Sequence, residues 1–164
     1  MENENSLTVE MTIKTSSVNE TDKEKLKLST LINNPKIKGY VKVDTELNPK
    51  YDYGIISVKG GCLDSDLSPI RIKDGDKVII HAVPVTEIEL INCIGKIVSI
   101  MLTNGVCIIK QAVFYNVINR CITVRMFEPK EQKLHIPVSR IKALFIVEAV
   151  LSAEYVRQNI IYPK

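Results

Sequence analysis

A chain of 164 residues, 45% hydrophobic and 25% charged, is long enough for one domain with its own buried core. Lys and Arg exceed Asp and Glu by only 22 to 19, a net charge of +3, and aromatic residues make up 5% with no Trp. That balance supplies neither the basic field nor the stacking platforms of a nucleic-acid binder, and no stretch approaches the roughly 18 apolar residues of a membrane span.

The chain begins with a polar stretch. Residues 1–20 are rich in Ser, Thr, Asn and Glu and read as a mobile N-terminal arm, although the alternation over residues 7–13 suits an edge strand. They lack the basic and apolar segments of an export signal, so the expected location is cytoplasmic. Residues 21–38 read as a short helix and linker, with Thr21-Asp22 as a cap, Leu26, Leu28 and Leu31 as a partial stripe, and Asn33-Asn34-Pro35 as the stop. One short helix cannot make a helix-turn-helix, so no such domain is expected in the chain.

From residue 39 to 164 the pattern is that of a β domain. Strands are predicted over residues 39–43, 54–58, 77–83, 96–102, 106–113, 121–127, 134–136 and 141–150. Pro84 closes the third of these, and Asn104-Gly105 between two apolar runs is a strong hairpin signal. Ser152 is placed to cap a last short helix through residue 159. So many strands, with turns every eight to twelve residues, predict a mainly β fold, an all-β sandwich or a folded-over barrel.

The obvious metal-binding patterns are missing from the sequence. Cys62, Cys93, Cys107 and Cys121 form no Cys-x-x-Cys pair, and His81 and His135 are distant from them, so neither zinc nor another cofactor is expected. Without an export signal, disulfides are not expected either. Asp64, Asp66, Asp74 and Asp76 crowd one segment but lack calcium-loop spacing, and Arg71, Lys73 and Lys77 share it; a solvated turn is the expectation. His81 reads as a strand-end histidine, and His135 has no apparent partner in the sequence.

The most informative stretch is Val58-Lys59-Gly60-Gly61-Cys62-Leu63, followed by Asp74-Gly75-Asp76 and the apolar run Val78-Ile79-Ile80. In this order it resembles the core of the LexA-type self-cleaving peptidases, the C-terminal domains of many phage repressors. There the pattern runs Gly-Asp-Ser-Met, a loop, Asp-Gly-Asp and a strand. The resemblance spans about residues 54–150 and includes the hairpin of residues 95–110, which ends in Lys110. It implies bent antiparallel β-sheets of the LexA/signal peptidase-like type with one or two short helices.

It also implies a site. In that family a serine attacks a peptide bond and a lysine on a neighbouring strand is the general base, held neutral by burial. Lys110 matches the lysine. Its strand is apolar on both faces, with Val106, Ile108 and Ala112 on one and Cys107, Ile109 and Val113 on the other; a lysine whose stem merely snorkels out of such a strand is the plain alternative. Aligning from Gly60 puts Cys62 at the nucleophile position, counting back from the Asp74-Gly75-Asp76 structural turn puts Asp66 there, and Ser65 lies one residue earlier. Gly60 and Gly61 would let backbone amides approach an oxyanion.

Self-cleaving members cut an Ala-Gly or Cys-Gly bond upstream of the nucleophile. Here no such dipeptide precedes Cys62, and the first alanine is Ala82. The expectation is therefore a relative that does not cleave itself and that serves as a dimerisation or protein-interaction module in phage or mobile-element regulation. Its partner would be a second copy or another regulatory protein, with no direct nucleic-acid or membrane binding, and residues 141–150 would be the pairing edge. Two alternatives stand beside it. One is an active Cys/Ser–Lys hydrolase that cuts another protein. The other is an unrelated structural β protein, in which Lys110 would lie far from residues 62–68.

Overall fold

A computed structural model describes residues 6–8, 40–42, 47–48 and 50–161. The described elements run β1 (Ser6–Thr8), β2 (Tyr40–Lys42), β3 (Tyr53–Ser57), β4 (Lys77–Val83), α1 (Glu87–Asn92), β5 (Ile97–Leu102), β6 (Cys107–Asn116), β7 (Cys121–Met126), β8 (Gln132–Pro137), β9 (Ile141–Leu151), α2 (Ala153–Asn159) and β10 (Ile160–Ile161). The strands lie in the order β10-β2-β1-β3-β4-β9-β5-β6-β7-β8. The pairings are antiparallel except for β1 against β3, which is parallel and rests on Thr8 and Gly54.

The fold is mainly β, as the alternating runs require. The predicted strands from residue 54 onward each have a counterpart, and the expected strand at 39–43 is present as β2. The helix expected at residues 22–31 lies outside the described residues. So does the arm of residues 1–20, apart from β1. The helix after Ser152 forms as α2: the Ser152 hydroxyl accepts from Tyr155 N at 3.0 Å, and its carbonyl accepts from Val156 N at 3.2 Å.

Consecutive residues of the middle strands point to opposite faces, and both faces are covered. In β9, Ala143, Phe145 and Val147 join Ile56, Ile80 and Ile97 in one core, while Leu144 and Ile146 join Val98, Ala112 and Ile122 in a second. α1 contributes Leu90 to that second core. A third cluster packs Val156 of α2 against Tyr53, Ile55 and Ile79. Three irregularities bend the sheet, in the pairings of β4 with β9, β5 with β9, and β6 with β7.

Two expectations are corrected here. Residues 141–150 do not form a free edge: β9 has β4 on one side and β5 on the other, so its backbone groups are already paired. Its near-continuous apolar run is the mark of a strand buried on both faces. Secondly, α1 was not foreseen. Thr86 caps it, accepting from Glu89 N at 3.3 Å, so Thr86-Glu87-Ile88-Glu89 has the Thr-x-x-Glu form of a capping box.

Candidate functional site

Residues 58–76 form a loop closed at its base. Val58 N donates to the Asp76 carbonyl at 2.8 Å, Gly75 N to the Val58 carbonyl at 2.9 Å, and Gly60 N to Asp74 Oδ1 at 2.7 Å. Gly60 and Gly75 both adopt φ +89°, a backbone region that suits glycine. Asp76 turns back to accept from Lys73 N at 2.9 Å. The two carboxylates of Asp74-Gly75-Asp76 are therefore occupied in holding the turn.

The tip of the loop is held by its own side chains. Arg71 lies 2.6 Å from Asp64 Oδ1 and 2.7 Å from Asp66 Oδ1. The Ser65 hydroxyl accepts from Leu67 N at 3.2 Å, and buried Ser68 donates to the Ile70 carbonyl at 2.6 Å. The four crowded aspartates thus have structural partners. Among the described residues, no group of three or more His, Cys, Asp or Glu side chains is arranged to hold a metal ion.

Cys62 is positioned from three sides. Its carbonyl accepts from Phe127 N at 2.8 Å and Glu128 N at 3.2 Å, fastening the loop to the connection after β7. Its thiol points to the Ile109 carbonyl, with sulfur and oxygen 3.6 Å apart. The ammonium nitrogen of Lys110, on β6, lies 3.3 Å from the Cys62 sulfur. Both residues are half-buried. Around them Ile109 and Cys62 pack against the first core, while Ile108 and Ala112 belong to the second.

Of the three positions weighed for a nucleophile, Cys62 is the one the structure brings to Lys110. Ser65 turns to its own loop, and Asp66 is exposed and paired with Arg71. Gly60 and Gly61 directly precede Cys62, with Asp64 N donating back to the Gly61 carbonyl at 3.0 Å. The lysine nitrogen donates to the sulfur, and positive charge there favours the thiolate, so a thiol–lysine contact can furnish a nucleophile without the buried neutral lysine that a serine demands.

A second polar cluster was not foreseen. His81 lies within β4 and is only 4% exposed, rather than sitting at a strand end. Tyr51 stacks on its ring at 3.9 Å, and Tyr53 meets it edge-on at 5.5 Å. Nδ1 lies 2.9 Å from Glu148 Oε1, yet it is not aligned for a hydrogen bond. Burial, reinforced by the Lys96 ammonium, pulls the imidazole down to about 4. The cluster borders a cleft of about 130 Å3 that Glu89 and Lys96 also line. The only signal for it was His81 inside an apolar strand. His135, on β8, pairs with Thr123 at 2.7 Å.

No family model, curated protein or solved structure matches the chain. Among the described residues, no helix is long and apolar enough to cross a membrane.

Proposed function

We propose that the chain is a LexA-type peptidase-like domain in which Cys62 and Lys110 stand at the nucleophile and base positions, and that it works as a protein-interaction module without cutting itself. The observation that carries the reading is the 3.3 Å contact between the Lys110 nitrogen and the Cys62 sulfur. The two residues are 48 positions apart, and the resemblance pairs them in that order and on those elements. An unrelated structural β protein is expected to hold Lys110 far from residues 62–68, so the contact favours the family reading over that alternative.

Two further facts support the family reading. The Asp74-Gly75-Asp76 turn closes the loop that carries Cys62, and β6, which carries Lys110, is reached through the Asn104-Gly105 hairpin. The lack of self-cleavage follows from the residues before Cys62, which offer neither Ala-Gly nor Cys-Gly. The role in phage or mobile-element regulation, as a homodimer or with another regulatory protein, rests on the family resemblance. Because β9 is an inner strand, pairing between copies would have to use another surface.

The second reading, a Cys–Lys hydrolase acting on another chain, is favoured by the same contact, since the thiol and amine are already within reach. One experiment separates the two. The protein is held at alkaline pH with and without a thiol-directed peptide electrophile, and followed by mass spectrometry beside Lys110→Ala. The module reading expects an intact chain and Cys62 labelling no faster than in Lys110→Ala. Labelling slowed at least tenfold by Lys110→Ala would favour the hydrolase. Light scattering tests the module itself: a strict monomer at high concentration, with no regulatory partner in pull-downs from its host, counts against it.

A further inference from the structure

We propose that Cys62 and Lys110 are a modification site at which peroxide drives a reversible sulfur–nitrogen cross-link. The inference needs only their contact and does not rest on the peptidase reading. The sulfur is half-buried, and the amine nitrogen 3.3 Å away is the group best placed to intercept an oxidised form of it. The thiol hydrogen points to the Ile109 carbonyl, so the amine meets the sulfur from a different direction.

The chemistry takes two steps. The Cys62 sulfur attacks one oxygen of hydrogen peroxide: the S–O bond forms, the O–O bond breaks, and the departing hydroxide takes a proton to leave as water. The thiol becomes a sulfenic acid. The Lys110 amine, once its ammonium proton has gone to solvent, attacks that sulfur, the S–O bond breaks, and hydroxide leaves with a proton from the nitrogen as a second water. In sum, thiol, amine and one peroxide give a sulfenamide and two waters, with sulfur oxidised and peroxide reduced by two electrons. Sulfenic acids are known to condense with a backbone nitrogen in the same way, and an amine is the better nucleophile. Two equivalents of a small thiol reverse the bond, restoring Cys62 and Lys110 and yielding a disulfide.

Cys93 offers a built-in comparison. It is buried, its thiol donates to the Leu90 carbonyl at 3.1 Å, and burial pushes it up to about 11. It should stay inert while Cys62 reacts. Oxidation of Cys62 would otherwise run on to sulfinic and sulfonic acids, which thiols cannot reverse, so the cross-link protects the residue.

The test uses the full chain with Cys107→Ser and Cys121→Ser, to remove competing disulfides, treated with hydrogen peroxide. The expected product is lighter by about 2 Da, and a tryptic map joins residues 60–71 to residues 97–120 uncut after Lys110. Dithiothreitol should restore the original mass and the cut. In Lys110→Met, checked for folding by circular dichroism, the joined peptide should vanish and the sulfinic and sulfonic fraction at Cys62 should rise severalfold. Oxygen added to Cys62 with normal cutting at Lys110 overturns the proposal. So does a Cys62–Cys93 disulfide, or an unchanged sulfinic and sulfonic fraction in Lys110→Met. None of these outcomes depends on hydrolysis, so failure here leaves the peptidase reading to its own assay.

Discussion

His81 couples the stability of this protein to acid. Above pH 6.5 the imidazole is neutral in both folded and unfolded chains, and its contribution is fully present. As the pH falls from 6.5 towards 4, the unfolded chain binds a proton that the folded chain refuses, so stability drops; below about 4 this group adds no further loss. The shift corresponds to up to about 3 kcal/mol, opposed by whatever attraction the Glu148 carboxylate gains for a protonated ring. Urea unfolding at pH 7 and pH 4.5 should show a fall that is smaller in His81→Phe, which keeps a ring against Tyr51 but cannot titrate. Equal falls in the two proteins would exclude His81 as the cause.

Among the elements, the loop of residues 58–76 and the sheet beneath it obey different constraints. Gly75 sits at φ +89° with nothing within 4 Å of where a Cβ would be, so Gly75→Ala pays only for backbone strain, about 1 kcal/mol. At Gly61 a Cβ would lie 3.8 Å from Asp64 Cβ, an ordinary contact, so Gly61→Ala should cost under about 0.5 kcal/mol. Thermal melts of the two variants test that order; a larger loss at Gly61 would refute it. The strands were legible because their apolar runs are bounded by turn residues such as Asn104-Gly105, whose glycine takes φ +87°. The helix α1 was not, although Thr86-x-x-Glu89 marks its start, because six residues carry too little periodicity to stand out. The inner place of β9 was missed for a related reason: strand order depends on contacts far apart in sequence, and local pattern is silent about it.

For the molecule as a whole, the candidate site was legible in its membership more than in its register. Asp-Gly-Asp, the hairpin and Lys110 could be ordered along the chain, but whether Cys62, Ser65 or Asp66 faces the lysine depended on how residues 62–72 fold. That is decided by Arg71 gathering Asp64 and Asp66, and by the amides of Phe127 and Glu128 seizing the Cys62 carbonyl. The Tyr51–His81–Glu148 cluster draws on β4, β9 and the segment before β3, and no short motif could have announced it.

The same fastening makes Cys62 independent of chain continuity a few residues further on. Leu67 is 73% exposed at the crest of the loop, where a protease can reach it. Cys62 is retained on its own side by the β7–β8 connection, and Ile72 N, on the other side, donates to the Leu63 carbonyl at 3.1 Å. A single cut after Leu67 should therefore leave two pieces that elute together in gel filtration and separate only in denaturant. Expressed as two separate genes, residues 1–67 and 68–164 should find each other and rebuild the thiol–amine contact across the break, so that the pair, and neither piece alone, gives the sulfur–nitrogen cross-link with peroxide.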